Sequence, residues 1–521
     1  MNFLRDLKLV RSINDPIHGV IKVTMSEMIV IEDALFRRLH HVRQNSFLYK
    51  VFPSAKHTRF EHSIGVMNYA HKMLYSIIEN GYIAYLRGDI AKDVQSFEGG
   101  IGVNLGELLH NNGDALKETF IELRLAALLH DIGHGPLSHL FDAFAPNIEE
   151  FIEIMSSDEL VGSDKEFMDN MELVLFQFEE KQKKKGKLDV RIEHEHVSSY
   201  FAYKVLSKND GISKEQIYNV LTILKPELKL GTRRIRAFNR DIDVLPLLND
   251  IVASAPIDCD RMDYLKRDSF FAGVPYGNYS ESRVLKSMLA YVNDEGSLRL
   301  GLKQSGLHAV ENFLQARYEM YVQVYGHKTN EACRAMLNFV AEEKGLTYTK
   351  WSKKQLTAKD FEELYISLSD EQFIDNLISV LSKERKDALH DVKNRNLWKR
   401  IYEFEEFIDE KDKITELSKH FAESLKTLKK EFGEEYFKEF RDERFPLKDM
   451  DSGALLLEKS SKGYYVVSPQ KIREGSQIIS SLNNGLRILR VYSIDSENAT
   501  KFKKYASRNI LPQFEGVSDR V

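Results

Sequence analysis

In LLHDIGHGPLSH, residues 128–139, an apolar helical run ends in an adjacent histidine and aspartate, His130 and Asp131. The glycines and the proline that follow break the helix directly after this pair. Adjacent helical residues point about 100° apart, so both side chains reach one ion only if it lies near that edge of the helix. An aspartate beside a glycine-rich break often caps a helix, but capping does not explain two further histidines, His134 and His139. The stretch therefore predicts a chemical site at a helix end.

Composition limits the classes of protein to which the chain can belong. Its 521 residues are 43% hydrophobic and 29% charged, which supplies a buried core and excludes disorder of the whole chain. The net charge of −5 gives no general attraction to nucleic acid or to an anionic membrane. No apolar run approaches the ~18 residues of a membrane span, the N-terminus lacks the apolar block of a signal peptide, and two cysteines cannot form a disulfide framework. We expect a cytoplasmic protein without a membrane partner.

The hydrophobic pattern is mainly helical, and strand signals are weak before the C-terminus. Helices are predicted over 64–80 (ended by Gly81), 119–131, after His194, over about 243–253 and over about 306–343, and strands within 454–467 and 487–493. The mixed charges of 382–445 indicate exposed helices with i,i+4 ion pairs. The predicted fold class is mainly α, with the following division: a helical core over 1–345 with insertions at about 82–118 and 150–190, a helical extension over 346–450, and a small α/β C-terminal lobe over 451–521.

A second motif lies upstream, in KHTRFEHS (residues 56–63), which opens the predicted 64–80 helix. His62 at the entrance of this helix is a candidate metal ligand, and the guanidinium of Arg59 can hold a phosphate through two hydrogen bonds. Taken alone, a surface or capping histidine is the simpler interpretation of His62. The motif gains meaning only beside the His130–Asp131 pair.

A third motif lies downstream, where four aspartates fall within residues 258–268. Asp260, Tyr264 and Asp268 share one helical face at i, i+4 and i+8. A polar, solvated helix would show the same pattern, so this motif too depends on the others for its interpretation.

Together the three motifs resemble the HD-domain phosphohydrolase superfamily, whose pattern is a histidine, then His-Asp, then a distant aspartate. The resemblance implies an HD-domain helical core and a metal site formed by His62, His130, Asp131 and Asp260. Two imidazoles and two carboxylates suit a divalent Mn, Fe, Ni, Zn or Mg ion, and no thiolate narrows the choice. Such an ion lowers the pKa of a water and neutralises charge at phosphorus. The pattern implies hydrolysis of a phosphate ester or anhydride and leaves the substrate open.

Residues 1–345, apart from the two insertions, also look like the deoxynucleoside triphosphate triphosphohydrolases, which cut a dNTP to deoxynucleoside and inorganic triphosphate. The motifs that carry this resemblance are INDPIHG (13–19), RFEHS (59–63), HDIGHGPLSH (130–139) and the aspartate cluster of 258–268. The resemblance implies catalytic roles beside the phosphates for His134, His139, His194 and Glu195. It implies substrate binding by Gln44, Arg59, Asp258, Arg261, Tyr264, Asp268, Arg317 and Tyr325. A second Mg ion can accompany the substrate.

The family assigns a role to each of these groups. Either His139 or His194 would protonate the departing 5′-oxygen, and Glu195 would orient or tune His194. The three arginines would neutralise the triphosphate, Gln44 and Asp268 would hold the sugar 3′-hydroxyl, and the two tyrosines would pack beside the sugar. The chain departs from the family at Asn45 and Ser46, where Leu-Gly often follows Gln44, and at Arg261, where lysine is usual. Sugar and base selectivity therefore stay open.

Many relatives of this type are tetramers that a nucleotide bound between subunits activates. Matches to part of that site survive at Asn14, Val51, Phe52, His327 and Lys328. The part that reads a guanine activator is not matched, because Glu32, Arg37 and His40 stand where an Asp, a Gln and an Arg are usual. We therefore expect a homo-oligomer, dimer or tetramer, that responds to an activating nucleotide of open identity. Interface packing alone is the alternative interpretation of these residues.

Two other functions stay open at the level of sequence. One is an HD phosphodiesterase or nuclease acting on a cyclic dinucleotide, an alarmone or single-stranded nucleic acid, with the basic segments 181–187 and 233–240 against the phosphate backbone. These segments lack interleaved aromatic residues apart from Phe238. The other is a nucleotide sensor with an inactive site, which the presence of all four metal-site residues disfavours.

Overall fold

Helices form most of the chain in the computed structural model, which confirms the mainly α fold class. The structure describes residues 9–91, 100–253, 256–408, 411–433, 436–442, 455–472, 474–483, 485–495 and 497–509. The helices are α1 (Met25–Glu32), α2 (Ala34–Arg37), α3 (Arg59–Leu86), α4 (Leu105–His110), α5 (Ala115–Leu129), α6 (Ile148–Ser156), α7 (Glu159–Gly162), α8 (Lys165–Lys184), α9 (His194–Ser207), α10 (Lys214–Leu224), α11 (Leu245–Ala253), α12 (Cys259–Ala272), α13 (Glu281–Ser287), α14 (Leu307–Glu319), α15 (Lys328–Ala341), α16 (Tyr348–Ser352), α17 (Ala358–Ser367), α18 (Asp370–Ile378), α19 (Lys383–Asn394), α20 (Lys411–Phe432), α21 (Gln477–Asn483) and α22 (Ala499–Asn509). Among the described residues, none of these helices combines the length and the apolarity needed to cross a bilayer.

The strands are β1 (Leu9–Asp15), β2 (Gly19–Thr24), β3 (Ile101–Gly102), β4 (Arg234–Ala237), β5 (Arg240–Asp243), β6 (Met288–Val292), β7 (Leu298–Lys303), β8 (Lys399–Ile408), β9 (Phe437–Asp442), β10 (Leu455–Lys459), β11 (Tyr465–Val467) and β12 (Gly485–Ser493). They form two antiparallel hairpins, β1–β2 and β4–β5, a closed barrel in the order β10-β11-β3-β6-β7, and a three-stranded sheet in the order β8-β12-β9. Strand β10 is parallel to β7, so the barrel joins the end of the chain to its core.

Helix α3 is the central element, and it packs against α5, α11 and α12. It begins at a capping box in which Thr58 and Glu61 exchange hydrogen bonds, and the predicted apolar positions such as Met67 and Leu74 are buried. The predicted stop at Gly81 is wrong, because the helix continues to Leu86. A Cβ at Gly81 would lie 3.0 Å from the carbonyl oxygen of Val103, so this glycine allows a close approach of the chain entering α4.

Strands are more numerous than the sequence pattern indicates. All five residues of β6 are buried, so its sequence lacks the alternation by which a half-buried strand is recognised. The prediction of helices throughout 382–445 is wrong in part, because β8 and β9 lie in this stretch and both pair with β12. The two predicted C-terminal strands do form, although they belong to different sheets. The predicted domain division at 345 and 450 stays a prediction.

The predicted insertions contain regular structure. Of residues 82–118, the described part holds the end of α3, β3 and α4, and residues 92–99 lie outside the description. Residues 150–190 form most of α6, then α7 and α8. The basic segment 181–187 begins on α8, where Lys183 and Lys184 pair with glutamates one turn earlier. The predicted long helix over 306–343 is interrupted by a π-helical turn, Met320–Tyr325, before α15.

Candidate active site

Three helix ends bring the four predicted metal ligands together. His62 lies in the first turn of α3, His130 and Asp131 follow the last residue of α5, and Asp260 lies in the first turn of α12. His62 Nε2 lies 3.1 Å from Asp260 Oδ1 and 3.6 Å from Asp131 Oδ2. His130 Nε2 lies 3.4 Å from Asp131 Oδ2 and 3.7 Å from Asp260 Oδ1. Two imidazole nitrogens and two carboxylate oxygens thus converge at one point.

The second ring nitrogen of His62 and of His130 already has a hydrogen-bond partner. His130 Nδ1 lies 2.9 Å from the carbonyl oxygen of Ala127, and His62 Nδ1 lies 2.8 Å from Asp263 Oδ2. When an ion is bound, both contacts would hold the proton on Nδ1 and leave the Nε2 lone pair to face the ion. His130 Nε2 is buried and has no hydrogen-bond partner among the described residues. A buried nitrogen without a hydrogen-bond partner, placed beside two carboxylates, suits a divalent metal ion. The nitrogen and oxygen ligands do not determine which ion binds.

The charges of the cluster favour a cation. Burial alone would lower the pKa of His62, but its hydrogen bonds with Asp260 and Asp263 outweigh burial and raise the pKa to about 10. Burial would raise the pKa of Asp131, but the charges of Arg59 and His130 hold it well below its usual range. Without a metal, His62 therefore carries a proton that an incoming ion displaces, so affinity for the ion weakens as the pH falls.

Three further histidines lie beside this cluster. His134 and His194 are stacked with ring centroids 3.6 Å apart, and His139 lies edge-on 4.9 Å and 4.8 Å from them. His134 Nε2 lies 3.3 Å from Asp131 Oδ1, while the other oxygen of Asp131 faces His62 and His130. Asp131 therefore joins the candidate metal centre to the three histidines.

Two carboxylates distinguish His194 from its neighbours. Its Nδ1 lies 3.5 Å from Glu195 Oε2 and 3.6 Å from Asp142 Oδ2. Burial would lower the pKa of His194, but these two negative charges raise it above the ordinary value. Burial and the charge of Arg59 push the pKa of His134 well below that value. Asp142 was not among the predicted site residues, because a lone aspartate three residues after His139 forms no recognisable motif.

The loop that carries these groups is held rigidly. Arg38 donates to the carbonyl oxygen of His134 at 2.7 Å and to that of Ile132. Leu137, whose φ is +58°, donates its N–H to Asp370 at 2.7 Å. A Cβ at Gly133 would overlap the backbone of α9, so only glycine allows the loop to lie this close to His194. Arg38 and Asp370 were not among the predicted site residues, because both act across the fold.

The three candidate phosphate-binding arginines surround the metal ligands. Arg59 donates to Asp131 and to the Ser138 hydroxyl. Arg261 pairs with Asp258, which is fully buried, caps α12 and accepts the Arg261 N–H at 2.7 Å. These contacts of Asp258 are those of a helix cap. Arg317 is 6% exposed, and its Nε and Nη1 have no hydrogen-bond partner among the described residues.

The candidate sugar-binding residues form a second group. Asp268 lies between His57 Nε2, 2.6 Å from Oδ1, and the Tyr325 hydroxyl, which donates to Oδ2 at 2.5 Å. The rings of Tyr264 and Tyr325 meet edge-on at 6.3 Å. Gln44 is buried, and its Oε1 has no partner in the described part of the chain. His57 was not predicted.

Two of the candidate activator residues lie against each other. The rings of Phe52 and His327 meet edge-on at 6.2 Å, and His327 caps α15. Lys328 follows and lines a cavity of about 500 Å³. Four further cationic side chains line the same cavity: Arg395, Lys399, Arg400 and Lys503. Asn14 lies exposed on β1, and Val51 follows the short helical turn before Phe52.

A prediction follows from Gly65, which lies one turn after His62 on α3. A Cβ at this position would overlap the carboxylate of Asp263 and the guanidinium of Arg267. We expect Gly65→Ala to lower the free energy of unfolding by about 1–3 kcal/mol, as overpacking does in a filled core. Urea unfolding checks this, with the exposed Glu79→Ala on the same helix as the control. Equal stability of Gly65→Ala and the control would contradict it.

The comparisons with known proteins agree with this geometry. The family model "HD associated region" matches residues 282–435. Over 399 residues the chain is 26% identical to the uncharacterized protein MJ1154 of Methanocaldococcus jannaschii, covering 76% of this chain and 60% of that protein. Over 416 residues it is 26% identical to the human deoxynucleoside triphosphate triphosphohydrolase SAMHD1, covering 75% of this chain and 55% of that protein. The chain thus spans less than two thirds of either relative.

Two solved structures show the same fold. A hypothetical protein from Aquifex aeolicus superposes with a TM-score of 0.60 at 23% identity, covering 95% of this chain and 99% of that chain. A phosphohydrolase from Bacteroides thetaiotaomicron superposes with a TM-score of 0.55 at 22% identity, covering 93% and 100%. The fold and the His, His-Asp, Asp constellation define the class of HD-domain proteins. The relatives, the family model and the fold together support a likeness of the chain to the HD-domain phosphohydrolase family.

Proposed function

We propose that the protein hydrolyses deoxynucleoside triphosphates to deoxynucleoside and inorganic triphosphate. One observation carries the proposal: Asp131 is shared between a four-residue metal centre and the group formed by His134, His139 and His194. A metal centre for water and a proton donor for a leaving group are the two parts that this hydrolysis needs. The human relative SAMHD1 is a deoxynucleoside triphosphate triphosphohydrolase, which supports this substrate class.

The metal centre comprises His62, His130, Asp131 and Asp260. A bound divalent ion supplies a water of lowered pKa and positive charge against the phosphate oxygens. Mn, Fe, Ni, Zn and Mg all suit the four donors, and a second Mg bound with the substrate is compatible with them.

The arginines and one histidine act on the triphosphate and its leaving group. Arg59, Arg261 and Arg317 neutralise the negative charge of the triphosphate, and the unpartnered nitrogens of Arg317 are available for that contact. His194 holds the proton for the departing 5′-oxygen, because Asp142 and Glu195 favour its protonated form.

The sugar lies in the second group of residues. Asp268 accepts a hydrogen bond from the 3′-hydroxyl, and the side-chain amide of Gln44, whose Oε1 has no partner among the described residues, donates to the hydroxyl oxygen. Tyr264 and Tyr325 pack on the sugar and leave little room for a 2′-hydroxyl. The choice of base stays open.

We further propose that a nucleotide regulates this activity. The cavity of about 500 Å³ beside Lys328 presents five cationic side chains, which suits the phosphates of a second nucleotide. His327 precedes Lys328 in the chain, Phe52 meets the His327 ring, and Val51 precedes Phe52, so these three would contact the rest of that nucleotide. Asn14 of the β1–β2 hairpin is assigned to the same site by resemblance. A homo-oligomer, dimer or tetramer, would complete the site between subunits.

The basic cavity gives a prediction. We expect Arg395→Ala combined with Lys399→Ala to abolish the increase in rate that one dNTP causes in the hydrolysis of another, because two cations that face the activator phosphates are lost. The rate with a single dNTP stays as in the unchanged protein. Initial rates with single and paired dNTPs measure this, and Lys165→Ala, an exposed lysine on α8, is the control. Full stimulation in the double variant would show that this cavity does not bind the activating nucleotide.

The proposed reaction is tested by product analysis. The purified protein is incubated with each dNTP, alone and in pairs, with Mn²⁺ or Mg²⁺, and the products are separated. Paired nucleotides are needed because an activator-dependent enzyme is inert with one. Release of pyrophosphate or orthophosphate instead of triphosphate would reject the proposal.

The alternative, a phosphodiesterase or nuclease, gains less support from the structure. In the basic segment 233–240, Arg233 pairs with Glu118 and Glu122, and Arg236 pairs with Asp241. The guanidinium of Arg233 is engaged within the fold, and that of the exposed Arg236 is partly neutralised by Asp241. Cleavage of a single strand that Asp131→Ala abolishes would revive this alternative.

A further inference from the structure

A fully buried carboxylate lies directly behind the candidate metal ligand His62. Asp263 Oδ2 accepts from His62 Nδ1 at 2.8 Å and from Arg267 Nε at 2.7 Å. Asp263 Oδ1 lies 2.7 Å from His18 Nε2 and accepts from Arg267 Nη2 at 3.0 Å. Every hydrogen-bonding direction of this carboxylate is therefore occupied, and its orientation depends on all three partners.

His18 reaches this carboxylate from the turn between β1 and β2, far from His62 in sequence. Asp15 fixes the turn, because its Oδ1 accepts from the backbone N–H groups of Ile17 at 2.8 Å and His18 at 2.9 Å. Arg267 donates to the other oxygen of Asp15 at 2.8 Å. The His18 ring also meets the ring of Tyr69 edge-on at 4.6 Å, and its side chain is 1% exposed. The position of His18 Nε2 is thus determined by the fold.

We propose that His18 is a positioning residue of the metal centre. By holding Oδ1 of Asp263, it keeps Oδ2 turned toward His62 Nδ1, which fixes the proton on that nitrogen and aims Nε2 at the ion. Without His18, Arg267 is the one hydrogen-bond partner of Oδ1 that remains among the described residues, and the carboxylate can turn away from His62. The β1–β2 hairpin, which carries Asn14, is thereby coupled to metal affinity. This inference rests on the metal centre of the proposed function.

The test measures metal affinity and needs no substrate. Metal-free protein is titrated with Mn²⁺ by isothermal titration calorimetry, and far-UV circular dichroism and urea unfolding establish that each variant is folded. Loss of a group that orients a metal-bound histidine typically weakens affinity by about 10- to 100-fold, and we expect this increase in Kd for His18→Leu and His18→Asn. His18→Gln restores most of the affinity, because its amide nitrogen reaches the place of Nε2 whereas the shorter asparagine does not.

The control is His71→Leu, which replaces another histidine of α3, one that packs against Phe120. It is expected to bind Mn²⁺ as the unchanged protein does. Wild-type affinity in folded His18→Asn, or equal weakening in His18→Gln and His18→Asn, overturns the positioning role. If His18→Leu does not fold, the Mn²⁺ affinities of His18→Gln and His18→Asn still test the positioning role. If the unchanged protein binds no Mn²⁺, the proposed metal centre itself is contradicted. Failure of the metal centre can therefore be distinguished from failure of the positioning role of His18.

Discussion

Asp131→Ala is expected to lower kcat for dNTP hydrolysis by about 10³-fold or more. One oxygen of this carboxylate faces the candidate metal centre and the other faces His134, so its loss would remove a proposed metal ligand and separate the two halves of the site. A metal ion contributes several kcal/mol of charge stabilisation in such reactions, and each 1.36 kcal/mol is tenfold in rate. The substitution also leaves the buried charge of Arg59 without its carboxylate partner.

Two measurements check this prediction together: initial rates of triphosphate release, and bound metal determined by inductively coupled plasma mass spectrometry. Ser138→Ala is the matched control, because it removes the other partner of Arg59 and leaves all four metal ligands in place. We expect the control to keep its metal and to lose far less activity. An Asp131→Ala protein that retains both metal and rate would show that hydrolysis does not use this centre.

The second large effect is expected for His194→Gln, which should lower kcat by about 10²- to 10⁴-fold, the usual contribution of a general acid. His194 must be protonated to act, and the charges of Glu195 and Asp142 raise its pKa. The kcat of the unchanged protein should therefore fall as the pH rises through this raised pKa. In the His194→Gln variant kcat is low, and this fall of kcat at high pH, the alkaline limb of the profile, is no longer seen.

The measurement is the pH profile of kcat for the unchanged protein, His194→Gln and His139→Gln. His139 is the comparison because it stands in the same group, but its side chain is 68% exposed and its Nδ1 lies 3.9 Å from Asp142. We expect His139→Gln to keep the alkaline limb. If His139→Gln loses the alkaline limb and His194→Gln keeps it, the general acid is His139 and not His194.

The convergence of the four candidate metal ligands could be predicted because each stands in a short motif at a helix end. Helical periodicity places the ends of α3, α5 and α12, and the residue types at those ends supply nitrogen and oxygen donors. The structure brings all four within hydrogen-bonding or near-contact distances. Their roles in catalysis stay a prediction until activity is measured.

The residues that orient the site could not be predicted from local pattern. His18 lies in the quoted motif of residues 13–19, but nothing in that motif shows that its partner is Asp263; Asp142 and Arg38 likewise act through groups that are brought to them only by the fold. The same limit explains the strands: β6 is buried along its whole length, and β8 lies in a charged stretch whose pairing with β12 becomes visible only in the fold.

The central claim is that water attacks the phosphorus nearest the sugar at the metal centre, so that the bond between this phosphorus and the 5′-oxygen breaks. Hydrolysis of a dNTP in ¹⁸O-labelled water, followed by mass spectrometry of both products, tests it directly. The account predicts one ¹⁸O atom in the inorganic triphosphate and none in the deoxynucleoside. Label in the deoxynucleoside, or release of pyrophosphate or orthophosphate, would contradict it.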